Sequence, residues 1–162
     1  MNMKKISLTK NKSTIVDDSS FDWLNRWKWH FVTDGYVARR EYPSRKYIYM
    51  HRQIINAKKG EEVDHINLDT LDNRKSNLRK VTRSQNMANT ELRSTNTSGH
   101  KGVSFDKTRK KWLVEITVNY KKIYLGRFDN ELEAVKSYNK AASKYFGKFA
   151  RLNKLGMCGN TN

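Results

Sequence analysis

The sequence is poor in the residues that build disulfide scaffolds, membrane spans and secretion signals. Its 162 residues include one cysteine, Cys158, and one proline, Pro43. A single cysteine excludes an intramolecular disulfide framework and a zinc site built from cysteines. No apolar run is long enough to cross a bilayer, and the lysine-bearing N-terminus has no apolar signal segment. We therefore expect a protein of the reducing cytoplasm, with no membrane partner.

Negative charge is also scarce. The chain has 33 Lys and Arg against 16 Asp and Glu, a net charge of +17, which favours a polyanionic partner such as nucleic acid. The excess lies in two flanks: residues 1–60 carry a net +8 and residues 97–162 a net +9, whereas residues 61–96 are neutral. Two basic flanks around a carboxylate-bearing middle are what an enzyme acting on nucleic acid requires.

The first 92 residues divide into a tail and one predicted domain. Residues 1–20 are polar and predict a mobile N-terminal tail. A domain is predicted over 21–92, where Asp34-Gly35 between two β-prone runs indicates a hairpin. Aromatic residues cluster in this region and form either a small core, which we favour, or a base-stacking surface: Trp23, Trp27, Trp29 and Tyr36.

A second domain is predicted over 100–154, after a polar linker at 93–99 and before a tail at 155–162. The stretches KGVSF, WLVEITV and KIYLGRF predict three strands, followed by a helix that Asn130 caps and Gly147 ends. Alternation in the middle strand gives an apolar face and an open face: Trp112, Val114, Ile116 and Val118 on the first, Leu113, Glu115 and Thr117 on the second.

The neutral middle contains the residues with chemical potential. Asp64 and His65 are adjacent on a predicted strand, and Asn77 and Asn86 follow 13 and 22 residues after Asp64. A neutral imidazole suits a general base near pH 7. Carboxylate and amide oxygens suit a hard divalent cation. Base and cation together are the requirements for hydrolysing a phosphodiester.

This segment resembles a known family. VDHINLDTLDNRKSNLRKVTRSQN, with the preceding YMHR at 49–52, is similar to the ββα-metal motif of HNH homing endonucleases. The third letter of the motif is asparagine here, and not histidine, which favours an oxygen-preferring ion over zinc.

The resemblance implies a role for each motif residue. His65 would be the catalytic general base, with Asn77 as the bracing residue of the catalytic motif. Asp64 and Asn86 would bind one divalent ion, Mg²⁺ with Mn²⁺ as a substitute, and no zinc or small-molecule cofactor is expected. For His51 the sequence leaves two interpretations open: a functional one, as support of the site or a contact to phosphate, and a structural one, as a core histidine.

Residues 98–153 resemble the APETALA or ethylene-response-factor type of DNA-binding domain, through KGV, YLGRFD, EAVKSYNKAA and the closing ARLN. In that family the open face of the sheet enters the major groove. The DNA-binding residues implied are Lys101, Gly102, Ser104, Arg109, Lys111, Thr117, Lys122 and Tyr124. The family reads bases largely through arginines, whereas this chain has Ser104, Asp106 and Thr117 at matching places, so the family's target sequence is not carried over.

The predicted fold class is α+β: a ββα-metal nuclease domain, then a three-stranded antiparallel sheet packed on one helix. The predicted function is a metal-dependent DNA endonuclease of the homing type, from a phage or mobile element. It would act as a monomer on double-stranded DNA, and one active site would nick one strand. A DNA-binding regulator without catalysis is the main alternative, and an RNA-binding protein is a weaker one.

Overall fold

The computed structural model describes residues 2–155. The chain divides into two compact units, residues 1–83 and residues 84–162, which are described separately below. Cys158 and the remainder of the predicted C-terminal tail, from residue 156 onward, lie outside the described residues. No helix within residues 2–155 is long and apolar enough to cross a membrane.

The first unit begins with an ordered hairpin, so the prediction of a mobile tail over 1–20 is wrong. Strands β1 (Met3–Ser7) and β2 (Ser13–Asp17) pair antiparallel, and helix α1 (Asp18–Leu24) follows directly. The physical reason is the burial of the few apolar side chains of this polar stretch. Ile6 and Val16 both lie in the hydrophobic core of the unit.

A three-stranded sheet follows, in the order β3 (His30–Phe31), β4 (Val37–Arg40) and β5 (Tyr47–Tyr49). The predicted hairpin at Asp34-Gly35 is confirmed, since the turn between β3 and β4 passes through these residues and the Asp34 carboxylate accepts a hydrogen bond from the Tyr36 amide. Trp29 is buried and its indole nitrogen donates to the Leu24 carbonyl at 2.8 Å, which gives this tryptophan a core role.

The rest of the first unit carries the motif. Helix α2 (Met50–Ile54) leads to strands β6 (Glu62–His65) and β7 (Leu78–Val81), which pair antiparallel and are joined by a loop that ends in a 3₁₀ turn (Lys75–Asn77). The core that supports them draws buried residues from strands and helices along the whole unit: Ile6, Val16, Leu24, Trp29, Val37, Met50, Ile54, Val63 and Leu78.

The second unit begins close to helix α3 (Arg83–Ala88). The boundary therefore falls about ten residues before the linker that the sequence predicts at 93–99. Ala88 belongs to the hydrophobic core of the second unit, and this burial explains the shift. Composition alone does not reveal it, because the stretch from 89 to 99 is polar.

The second unit contains strands β8 (Val103–Asp106), β9 (Lys111–Val118) and β10 (Lys121–Phe128), followed by helix α4 (Glu131–Phe146). The strands form one antiparallel sheet with β9 in the middle. The Asn130 side chain accepts hydrogen bonds from the amides of Leu132 and Glu133, as predicted for the N-cap. One face of the sheet packs on α4, through a core that includes Val103, Val114, Ile116, Val135, Tyr138 and Ala142.

Candidate active site and nucleic-acid interface

Asp64 and His65 are the last two residues of β6 and lie opposite Arg79 and Leu78 of β7. Although they are adjacent in sequence, both side chains are buried, with exposed fractions of 5% and 4%. The end of the strand therefore carries a carboxylate and an imidazole on consecutive residues, both shielded by protein.

His65 contacts an asparagine that the sequence did not single out. Its Nε2 lies 3.3 Å from Oδ1 of Asn73, which belongs to the loop between β6 and β7. Burial lowers the pKa of His65, while the contact with Asn73 and the nearby Asp64 act in the opposite direction. The net effect keeps the imidazole neutral at pH 7, the form in which it accepts a proton.

Asn77 holds the same loop together. Its Oδ1 accepts a hydrogen bond from the Asn67 amide at 3.0 Å, and its Nδ2 donates to the Asp72 carbonyl at 2.8 Å. The Asn77 carbonyl also accepts from the Ile66 amide. These bonds tie both ends of the loop to its middle, which is the geometry that a bracing residue requires.

His51 lies beside His65, with their ring centroids 5.2 Å apart. The ring is packed between tyrosines, Tyr36 at 5.0 Å and Tyr49 at 5.6 Å. Burial and the neighbouring His65 lower the pKa of His51 to about 3. His51 thus remains a neutral ring at physiological pH, in contact with the candidate base, and this position is compatible with both interpretations that the sequence left open.

Asp64 is paired with a cation supplied by the chain itself. Its Oδ2 accepts hydrogen bonds from Nε and Nη2 of Arg79 at 2.8 and 2.7 Å. Within residues 2–155 no group of three or more His, Cys, Asp and Glu side chains is arranged to hold a metal ion. Asn86, the other predicted metal ligand, lies on α3 in the second unit, and its role remains a prediction.

In the second unit, four of the predicted DNA-binding residues lie on the sheet face turned away from α4. Strand pairing sets Thr117 beside Lys122, and Tyr124 beside Glu115. On the outer strand Ser104 pairs with Leu113 and is exposed. The open face is thus polar, with basic and aromatic side chains on the β10 edge.

Lys101 and Gly102 have structural roles that the sequence did not predict. The Lys101 ammonium donates to the carbonyls of Met87, Ala88 and Thr90 at 3.0, 2.7 and 3.1 Å, and so caps the C-terminal end of α3. Gly102 has a φ of +70°, and a Cβ at this position would overlap the Tyr138 ring. Both residues are engaged inside the unit, which argues against the DNA-binding role expected of them.

The remaining predicted contacts lie on and beside the β8–β9 hairpin loop. Arg109 pairs with Asp106 at 3.2 Å, and Lys111 pairs with Asp129 at 3.1 Å. The side chains of these residues are substantially exposed, except that of Asp106. Sequence reasoning missed Arg127, which stands on the open face opposite Leu113, with its guanidinium 5.5 Å from the Tyr124 ring. Strand alternation from Tyr124 through the GRF stretch contains the signal, although the bulge at Leu125 obscures it.

Comparison with known proteins places this geometry in context. The sequence profile described as HNH endonuclease matches residues 49–88. An uncharacterized HNH endonuclease of Acanthamoeba polyphaga mimivirus is 28% identical over 153 residues, which cover 91% of this chain and 79% of that relative. Protein 3.8 of Escherichia phage T7 is 33% identical over 93 residues, which cover 57% of this chain and 76% of that relative. No solved structure matches the chain.

Proposed function

This chain is a DNA endonuclease of the HNH kind, in one family with Protein 3.8 of Escherichia phage T7, and we propose that it is a metal-dependent, homing-type enzyme of a phage or mobile element. It hydrolyses phosphodiester bonds of double-stranded DNA and nicks one strand as a monomer, inside the cell that holds the DNA. The observation that carries this proposal is the buried pair Asp64 and His65 at the end of β6, within the segment that matches the family.

His65 is the general base. Because burial lowers its pKa, the imidazole is neutral at pH 7 and takes a proton from the attacking water. A positioned base of this type contributes about 10²- to 10⁴-fold to a rate. Asn77 keeps the loop after His65 in a single conformation through its three hydrogen bonds, so the base presents one geometry to the substrate.

Asp64 and Asn86 are the residues that would hold the divalent ion. A carboxylate and an amide oxygen are hard donors that suit Mg²⁺, with Mn²⁺ as a substitute, and not zinc. The Asp64 carboxylate is paired with the Arg79 guanidinium, so a divalent ion would share the carboxylate with this arginine or displace it. When bound, such an ion neutralises charge on the phosphate and on the departing oxygen.

The second unit holds the DNA through the open face of its sheet, in the manner of the APETALA-type domains. Lys122 and Arg127 supply positive charge there, Tyr124 an exposed ring, and Ser104 and Thr117 short hydroxyls. Lysine contacts fix position on the phosphate backbone, while hydroxyls and arginine reach base edges. Arg109 and Lys111 extend the basic edge at the hairpin loop, where their acidic partners are weak competitors for phosphate.

A supercoiled-plasmid assay tests the proposal. The full-length protein and His65→Ala are compared with Mg²⁺ and with chelator, on DNA that includes sequence flanking the gene. We expect Mg²⁺-dependent conversion to open circles, with loss of about 10²-fold or more in the variant. His30 is half-buried on β3, which belongs to a different sheet from β6. The matched control His30→Ala should therefore cut like the natural protein.

Cutting by His65→Ala at the natural rate would refute the active site. Binding of duplex DNA by both proteins, in the absence of any cutting with Mg²⁺ or Mn²⁺, would favour the DNA-binding regulator. Asp64→Asn adds a second criterion, because loss of the ion's carboxylate should raise the Mg²⁺ concentration needed for half-maximal cutting, whereas His65→Ala should not.

A further inference from the structure

We propose that Asn73 is a positioning residue that fixes the tautomer and the orientation of His65, and that it is itself held by Thr14 of the N-terminal hairpin. This inference deepens the proposed function and rests on it for its catalytic meaning. Its structural content, the location of one proton on one ring, can be measured whether or not the chain cuts a given DNA.

The direction of each hydrogen bond follows from the chemistry of the partners. Thr14 Oγ1 donates its only proton to the Leu71 carbonyl at 2.7 Å. It therefore accepts from Asn73 Nδ2, which lies at 2.8 Å and also donates to the Thr70 carbonyl at 3.2 Å. With two acceptors facing the Asn73 amide nitrogen, a flipped amide would set oxygen against oxygen twice.

This orientation turns Asn73 Oδ1 toward His65 Nε2 at 3.3 Å. An amide oxygen only accepts hydrogen bonds, so Nε2 carries the proton of the neutral imidazole and the lone pair is on Nδ1. Nδ1 is then the nitrogen that receives the proton from water. A ring held in the other tautomer would offer its lone pair to Asn73 and a proton to the substrate side.

The support behind Asn73 is rigid. Thr14 and Asn73 are both 0% exposed, and the backbone around them is paired: the Ile15 amide donates to the Leu71 carbonyl, and the Asn73 amide to the Ile15 carbonyl, each at 2.8 Å. Strand β2 therefore clamps the loop that carries Asn73. A buried amide with all of these partners has one orientation, and it transmits that orientation to the imidazole.

Asn73 and Asn77 have separate tasks. Asn77 bonds to backbone groups of the loop and does not provide the contact to the ring described here, whereas the Asn73 side chain reaches His65 directly. Asn77 thus fixes the conformation of the loop, and Asn73 fixes the orientation of the His65 ring. Loss of Asn73 should impair the chemical step more than DNA binding.

The first measurement is a long-range ¹H–¹⁵N correlation spectrum of the intact, metal-free protein with labelled histidine. The chain has four histidines, and His65→Gln identifies the His65 signals by their loss. We expect the natural protein to show His65 protonated on Nε2 at pH 7. A proton on Nδ1 would overturn the proposal outright, with no variant of Asn73 required.

Variants then test the cause. Asn73→Ala should release the ring into a mixture of tautomers, and lower kcat by tenfold or more with little change in KM for DNA. Asn73→Asp retains an acceptor for Nε2 and should restore the tautomer and part of the rate. Thr14→Val should act like a milder Asn73→Ala, and Thr14→Ser should leave both readouts unchanged. Asn25→Ala, at an exposed helix end of the same unit, is the matched control.

The outcomes separate the two proposals. An Nε2-protonated His65 that becomes mixed in Asn73→Ala supports the positioning role, even in a chain that fails to cut. A fully active nuclease in which Asn73→Ala leaves both the tautomer and kcat unchanged refutes the positioning role and leaves the proposed function intact. If Asn73→Ala does not fold, the spectra of the natural protein and of Thr14→Val give the decision.

Discussion

Asp64 and Arg79 face each other across the β6–β7 ribbon, and two guanidinium nitrogens of Arg79, Nε and Nη2, bond to the same carboxylate oxygen at 2.8 and 2.7 Å. The two side chains have little exposure. A cation that binds Asp64 must share the carboxylate with Arg79 or displace it. We therefore expect Arg79 to affect the stability of the first unit and the affinity of the proposed metal site.

Replacement of this arginine by methionine should expose that coupling. Arg79→Met leaves a buried carboxylate without its cation, which costs on the order of 3 kcal/mol in the free energy of unfolding. Millimolar Mg²⁺ should recover more of this free energy in the variant than in the natural protein, because the ion no longer competes with an arginine. Urea unfolding with and without Mg²⁺ measures both quantities, and an equal effect of Mg²⁺ on the two proteins would contradict the idea.

His51 should make the first unit sensitive to acid. Its pKa in the folded chain is about 3, below the ordinary value of 6.5, so the unfolded state binds the proton more readily than the folded one. The contribution of the neutral ring is fully present above pH 6.5 and is lost as the pH falls toward 3. The cost is about 1.4 kcal/mol per pH unit for one such proton.

His51→Phe keeps a flat ring and removes the titration. We expect the unfolding free energy of this variant to fall less steeply between pH 6.5 and 4.5 than that of the natural protein. At pH 7 the substitution should change the unfolding free energy only slightly, because Nδ1 of His51 has no hydrogen-bond partner among the described residues that the variant would lose. Denaturant melts at four pH values suffice, and parallel slopes for the two proteins would disprove the assignment. The nicking rate of His51→Phe separates the two interpretations of His51. A reduced rate in the folded variant indicates support of the site, and an unchanged rate indicates a core role.

Lys101 and Lys122 should respond in opposite ways to substitution. Lys101→Met removes the cap of α3 and should cost about 1–3 kcal/mol of unfolding free energy, with no change in the salt dependence of DNA binding. Lys122→Ala removes an exposed charge whose pair with Glu115 lies in solvent, so stability should hardly change. Its binding to duplex DNA should weaken, with the slope against log salt lower by about 1.

Binding isotherms at several salt concentrations, together with urea melts, measure these two effects separately. A reduced salt slope for Lys101→Met in the folded protein would restore this residue to the DNA interface. Lysine 110, which is exposed in the turn between β8 and β9, offers a surface control for the melts as Lys110→Ala.

The N-terminal hairpin should be required for the stability of the first unit. Ile6 is buried in its core, and Ile6→Ala should cost about 2–5 kcal/mol of unfolding free energy. Lys5→Ala, one residue earlier and exposed, should have an effect within about 0.5 kcal/mol. Equal stability of the two variants would mean that this stretch behaves as a free tail, in agreement with the prediction from sequence and against the structure.

Local patterns were sufficient for the parts of the fold that depend on neighbours in sequence. The Asp34-Gly35 turn, the Asn130 cap and the alternation of Val114 and Ile116 with Glu115 and Thr117 each express a preference that acts over a few residues. The hairpin at Met3–Asp17 was missed because its two buried apolar side chains lie among lysines and serines, which give the stretch a polar composition. Burial of these side chains is favourable only because they pack against residues that are distant in sequence.

The spacing of the motif residues Asp64, His65 and Asn77 could be recognised in the sequence. A two-stranded ribbon and its loop require fixed intervals between these residues along the chain. Which partner each side chain meets was decided by tertiary structure alone. Thr14 contacts Asn73 across 59 positions, Arg79 contacts Asp64 through strand register, and the Lys101 ammonium bonds to backbone carbonyls at the end of α3. Such contacts depend on distances in space that no local periodicity encodes.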